Sequence, residues 1–143
     1  MSDAAVITEF NVVLALESEG MTLDPAVVRP GVEAVLRDPS RGTYFAACED
    51  GRLIGLLLVT YEWSDWRNGN FWWLQSVYVH KDFRSKGVFK SLLAHIDEQA
   101  RKSPDVCGFR LYVDNHNTHA QEVYRRLGLA RTNYQILERL LVR

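Results

Sequence analysis

Cysteine is scarce in this chain: only Cys48 and Cys107 occur among 143 residues. Two isolated thiols exclude a disulfide framework, and no pair of candidate ligands has zinc-site spacing. The expectation is two reduced core thiols. An excess of one charge is also missing. Seventeen basic against 18 acidic residues leave a net charge of -1. No strong global field therefore draws the chain to nucleic acid. Long apolar runs are absent, since Leu53–Tyr61 is too short to span a bilayer. Met1-Ser2-Asp3 lacks the basic start of a secretory signal. A cytoplasmic protein with no membrane partner is expected. There is no internal repeat and no low-complexity tract.

What is present fits one compact domain over residues 1–143, because 47% of the residues are hydrophobic. Val6, Phe10, Val13, Leu14 and Leu16 recur at helical spacing, so a helix is expected over about 4–19. Asp24-Pro25 reads as an N-cap with proline at the first helical position, and that helix should run to about Asp38. Thr43–Cys48 and Leu53–Trp63 read as strands of a hairpin turned at Asp50-Gly51. Phe71–Val79 is apolar on both faces, as in a strand with layers on both sides. Simple alternation puts Phe71, Trp73, Val77 and Val79 on one face and Trp72, Leu74 and Tyr78 on the other. A helix over Gly87–Lys102, a strand over Phe109–Asp114, a helix from Asn117 or Thr118 to Leu127, and a strand over about 131–141 complete the order.

The richest stretch runs from Val77 to Lys90, where an apolar strand meets a short basic loop that opens a helix. Helix N-termini present free amides and the positive end of the dipole, which suits a pyrophosphate. Arg84, Lys86 and Lys90 add charge there, and Gly87 lets the backbone approach a ligand. A nucleotide-like cofactor is the expectation.

Two motifs go further. Arg84-Ser85-Lys86-Gly87-Val88-Phe89 matches Gln/Arg-x-x-Gly-x-Gly/Ala except at its last position. Asn117, Ala120, Tyr124, Gly128 and Leu129 match Asn-x-x-Ala-x-x-x-Tyr-x-x-x-Gly-Phe except at its end. With the element order, they make the chain resemble the GNAT superfamily of acyl-CoA-dependent N-acyltransferases. The resemblance covers residues 40–138 well and the first two helices loosely. It implies an α/β (α+β) fold with a mixed, mostly antiparallel, splayed central sheet and helices on both faces. Relatives begin with a strand before the first helix, for which Met1–Ala5 is too short; either the sheet lacks that strand or the start trims it.

The resemblance implies acetyl-CoA as cofactor, with no metal. It implies that Arg84, Ser85, Lys86, Gly87, Val88, Phe89 and Lys90 hold the pyrophosphate. The backbone of Val77, Tyr78 and Val79 would bind the pantetheine like an added strand, and an amide near Val77–Tyr78 would steady an oxyanion. Phe89 stands where relatives carry a small residue, so its ring should point to the sheet or the pantetheine. Asn117 would cap its helix and also touch the cofactor arm.

Tyr124 alone would read as a core tyrosine. In the family pattern it becomes the acid that protonates the leaving thiolate, since a phenol ionises near pH 10 and a thiol near 8.5. The base is harder to place. Trp73, Gln75 and Ser76 occupy positions where some relatives carry an acid or histidine. Glu62 is the nearest acid in chain order and is expected to anchor substrate or act as base through a water. Asp65 reads as a solvated turn residue. All four tryptophans lie between Trp63 and Trp73. Core packing or a dimer contact explains such a group. The sharper expectation is a substrate pocket of Trp63, Trp66, Trp72 and Gln75, because aromatic faces beside a carboxylate receive an ammonium. The reaction expected is direct acetyl transfer to a primary amine of a small molecule or peptide. The alternative is a non-catalytic acyl-CoA-binding regulatory module. A sheet edge without visible cover leaves room for a homodimer.

Overall fold

The computed structural model describes residues 3–142. Two compact units divide the chain, one ending at Tyr112 and one beginning at Val113. Each is taken by itself.

The first unit holds α1 (Asp3–Glu19), α2 (Pro25–Arg37), β1 (Thr43–Glu49), β2 (Arg52–Ser64), β3 (Gly69–Val79), a 3-10 turn (Lys81–Phe83), α3 (Val88–Lys102) and β4 (Val106–Leu111). The strands lie in the order β1-β2-β3-β4. The first two pairings are antiparallel and the third is parallel. The sheet is therefore mixed and mostly antiparallel, as expected. Asp24 caps α2 by accepting from the Ala26 amide at 2.9 Å.

Two cores cover the two faces. Ile7 and Phe10 of α1 and Val32 of α2 pack on Leu56 and Tyr78. On the other face, Ile96 of α3 packs on Leu57, Val59 and Leu74. Leu92, Ile96 and Ala100 are the buried residues of α3, at four-residue spacing on one stripe. Gly55 lets α3 come close: a Cβ there would lie 2.8 Å from a Val88 methyl.

Simple alternation fails in β3. Leu58 pairs with Gln75 but Leu56 pairs with Tyr78, so Ser76 and Val77 together oppose Leu57. This is a β-bulge. Ser76 has φ +50°, a left-handed conformation that a non-glycine residue adopts at a cost. The extra residue flips the parity of everything after it. Val77 packs with Trp72 and Leu74 around Ile96, while Tyr78 faces α1. That reverses the faces expected for Val77, Tyr78 and Val79.

The cysteines correct another expectation. Both are free, but both are exposed rather than buried. Cys48 sits at the hairpin end of β1 and Cys107 on the end strand β4.

The second unit holds α4 (Thr118–Arg126). Asn117 caps it, accepting from the Ala120 amide at 3.0 Å. The helix closes with the Leu129 amide bonded to the Tyr124 carbonyl at 3.0 Å. The strand expected over 131–141 does not form: residues 130–142 have no regular structure. Among the described residues, no helix is long and apolar enough to cross a membrane.

Candidate active site

The strand-to-helix connection carries the site. Val79 ends β3, the 3-10 turn follows, and Gly87 with φ +82° turns the chain into α3. No side chain caps α3. Its first main-chain bond runs from the Ser91 amide to the Gly87 carbonyl. Among the described residues, no hydrogen-bond acceptor meets the amides of Lys86, Gly87 or Val88. Space above Gly87 is open, with no heavy atom within 4 Å of where a Cβ would stand. Three adjacent outward amides at a helix start form an anion cradle.

The basic side chains divide their work. Lys90 is exposed on the first turn of α3. Lys86 rests its ammonium over the Phe83 ring, 5.4 Å from the centroid, and Arg52 lies over the same ring at 5.6 Å. Arg84 turns away from the cradle. It donates to the Val79 carbonyl at 2.9 Å and to the Glu17 carboxylate at 2.6 Å, and its guanidinium lies over Tyr78. Glu17 raises the Arg84 pKa. Arg84 therefore ties the loop to α1 and offers little charge to a ligand. Ser85 holds φ +62° and Phe89 is half-buried.

Next to the cradle the sheet opens. Pairing of β3 with β4 runs only from Asn70↔Val106 to Leu74↔Leu111. Beyond it, Gln75–Val79 pairs only with β2. This is the splay: among the described residues no strand pairs with the outer edge of β3 beyond Leu74, and apart from the Val79 carbonyl, which Arg84 occupies, that edge can take an extended ligand by main-chain bonds.

A cleft of about 190 Å³ lies on the α1 side of the bulge. Asn11, Leu14, Ala15, Ser18 and Glu19 of α1, Leu23 just beyond it, and Ser76 of β3 line it. Asn11 and Ser18 spend hydrogen bonds on their own helix, donating to the Ile7 and Leu14 carbonyls at 3.0 and 2.8 Å. Glu19 is the one charged residue of this lining. Ser76 is thus common to the splayed strand and the cleft. Periodicity could not show this, because a bulge at serine carries no glycine to mark it. The cleft residues lay on a helix that reads from sequence as core cover.

The expected substrate residues are not gathered in one place. Glu62 forms an ion pair, accepting from Arg110 at 2.5 Å. That guanidinium also stacks 3.7 Å from the Phe71 centroid. Trp72 packs in the core, 6.3 Å from Tyr61 and from Phe109 between ring centroids. Trp63 and Trp66 are exposed by the β2–β3 turn. Gln75 donates to the Thr60 hydroxyl at 2.5 Å. Trp73 stacks on Tyr112 at 4.5 Å. In the second unit, burial raises the pKa of the Tyr124 phenol above its ordinary value. The Asn117 carbonyl oxygen is committed to its cap.

Among the described residues no three His, Cys, Asp or Glu side chains cluster as metal ligands do. Residues 14–129 match the model of the acetyltransferase (GNAT) family. No curated protein matches the sequence. A crystal structure of a possible acetyltransferase from Clostridium difficile 630 is 40% identical, with a TM-score of 0.93 over 99% of this chain and 93% of that one. Two more distant structures share the fold. A ribosomal-protein-alanine N-acetyltransferase from Brucella melitensis biovar Abortus 2308 is 17% identical, TM-score 0.70, over 93% of each chain. A transcriptional regulator from Bacillus halodurans C-125 is 17% identical, TM-score 0.77, over 99% of this chain and 96% of that one.

Proposed function

This chain belongs to the GNAT acetyltransferase family, and from that premise we propose that it transfers the acetyl group of acetyl-CoA to a primary amine of a small molecule or peptide. The observation that carries the reading is the bulge at Ser76. It joins the free edge of β3, where a pantetheine arm fits, to a cleft with one carboxylate, where an amine fits.

The residues suit the cofactor. The open amides of Lys86, Gly87 and Val88 would hold the pyrophosphate, with Lys90 adding charge. Val77, Tyr78 and Val79 would hold the pantetheine along the splayed edge. When bound, acetyl-CoA supplies an acyl group activated as a thioester. The chain's own groups do the rest. Glu19 holds the ammonium form of the acceptor in the cleft, with Leu14 and Leu23 against its carbon chain. Attack needs the neutral amine, whose proton leaves to water in this open cleft. A main-chain amide near Val77–Tyr78, assigned by the family resemblance, steadies the developing oxyanion. Tyr124, assigned by the family motif, protonates the departing thiolate. Glu62 is left out of this scheme because Arg110 occupies its carboxylate.

A panel of primary amines and matched alcohols, followed by thiol release from acetyl-CoA, tests the reading. Release with amines and none with alcohols is expected. Binding of acetyl-CoA without release for any amine would replace it with the regulatory acyl-CoA-binding module, a role that the fold shared with a transcriptional regulator makes worth testing.

A further inference from the structure

The last turn of α1 carries the wrong charge for its place. It holds Glu17 and Glu19 and no basic residue. A helix C-terminus is the negative end of the dipole, and its last carbonyls lack partners within the helix, so a carboxylate is disfavoured there and a cation is favoured. Glu17 is compensated by Arg84, which donates to it at 2.6 Å. Among the described residues, no basic side chain pairs with Glu19. A cationic ligand would supply what Arg84 supplies to Glu17.

The cleft places that carboxylate at its wet end. Its lining follows one face of α1 from Asn11 to Glu19, about 12 Å along the helix axis. Asn11, Leu14 and Ala15 are half-buried, whereas Ser18 and Glu19 are exposed. Ser76, also half-buried, brings in β3. One nitrogen cannot serve both places. Held against a carboxylate it stays an ammonium, and an ammonium has no lone pair with which to attack a thioester. Two amines in one molecule separate the tasks. The size agrees: a cavity of about 150 Å³ takes benzene, with six heavy atoms, so one of about 190 Å³ takes roughly eight. Leu14, Ala15 and Leu23 suit a methylene chain. No lining residue is basic, so an amino acid of the same length finds no partner for its carboxylate.

We infer that the cleft takes a linear diamine of about four to six carbons, with one ammonium fixed by Glu19 at the end of α1 and the other amine delivered beside Ser76. The fate of that second amine rests on the acetyl-transfer reading: its nitrogen bonds to the acyl carbon, its proton leaves to water, the carbon–sulfur bond breaks, and the sulfur takes a proton from Tyr124. The products are the mono-N-acetylated diamine and free CoA thiol.

Thiol release from acetyl-CoA is measured with 1,5-diaminopentane, with hexylamine, which replaces one amine by a methyl group, and with 5-aminopentanoate. The diamine should exceed hexylamine about 10-fold in kcat/KM, the scale of one exposed charge-assisted hydrogen bond. The advantage should shrink as salt rises, and 5-aminopentanoate should be the poorest of the three. In Glu19→Gln the advantage should fall to the statistical weight of having two amines. Equal kcat/KM for diamine and hexylamine in the wild type would overturn the inference, as would an advantage that Glu19→Gln leaves intact. A variant that loses both substrates alike would show Glu19 holding the reacting nitrogen, and the inference would again be wrong. If no amine releases thiol, the acetyl-transfer reading fails and calorimetry on the CoA-saturated protein decides the cleft. Tighter binding of 1,5-diaminopentane than of hexylamine, lost in Glu19→Gln, would uphold the diamine; equal binding, or none, would overturn it.

Discussion

Gly87→Glu tests the anion cradle, and Gly87→Gln is its control. Neither side chain meets a neighbour at its Cβ, so both enter open space. Both impose φ +82° on a residue with a Cβ, which costs about 1 kcal/mol. For a domain of this size that lowers Tm by roughly 3–5 °C, equally in the two variants. Only charge separates them. A carboxylate about 6 Å from a phosphate charge at an effective dielectric of about 20 is repelled by about 2.8 kcal/mol. Solvent exposure and 0.1 M salt cut this to about 1.4–2 kcal/mol, a roughly 10- to 30-fold weaker affinity. Calorimetry with acetyl-CoA at low and high salt reads the difference directly. The glutamate variant should bind more weakly than the glutamine variant, and the gap should narrow as salt rises. Equal affinities for the two at low salt would remove the cradle from the account.

Three further outcomes follow from the geometry. Gly55→Ala should lower Tm and weaken acetyl-CoA binding together, because its methyl collides with Val88 at the start of α3; overpacking of this kind costs about 1–3 kcal/mol. Adding Val88→Ala should restore both, and no restoration would mean that α3 is not what moved. Glu62→Gln should leave turnover and its pH dependence unchanged and cost at most about 1 kcal/mol of stability, since it breaks a partly exposed ion pair. A changed pH profile would return Glu62 to the chemistry. Tyr124→Phe should cut turnover by about 100-fold with acetyl-CoA affinity unchanged. The raised Tyr124 pKa means that the phenol keeps its proton as pH rises to about 10. Turnover of the wild type should therefore show no loss from this group below that pH. An alkaline limb below pH 9 that vanishes in the phenylalanine variant would contradict the assignment.

The sequence showed most of the scaffold because its signals were local. Asp24-Pro25, Asp50-Gly51 and Asn117 each act on their own backbone within a few residues, and the caps and turn lie where those residues put them. The anion cradle was legible for the same reason, since glycine marks the turn into α3. Three features were not. The bulge at Ser76 depends on how β3 registers against β2, and its serine hides a left-handed turn. The pairing of Arg84 with Glu17 joins residues far apart in sequence, so a motif position that reads as a ligand for phosphate becomes a tie between loop and helix. The tryptophans of β2 and β3 look like one cluster in sequence. Strand alternation and the hairpin turn send Trp72 into the core and leave Trp63 and Trp66 exposed. The segment from 131 to 141 carries the pattern of a strand, yet residues 130–142 have no regular structure.

A two-dimensional amide spectrum of the nitrogen-15-labelled protein, titrated with CoA, tests the central claim most directly. The account predicts the largest shifts at the amides of Lys86, Gly87 and Val88, with a second group at Val77, Tyr78 and Val79. Saturation with CoA that leaves those six amides in place would contradict it.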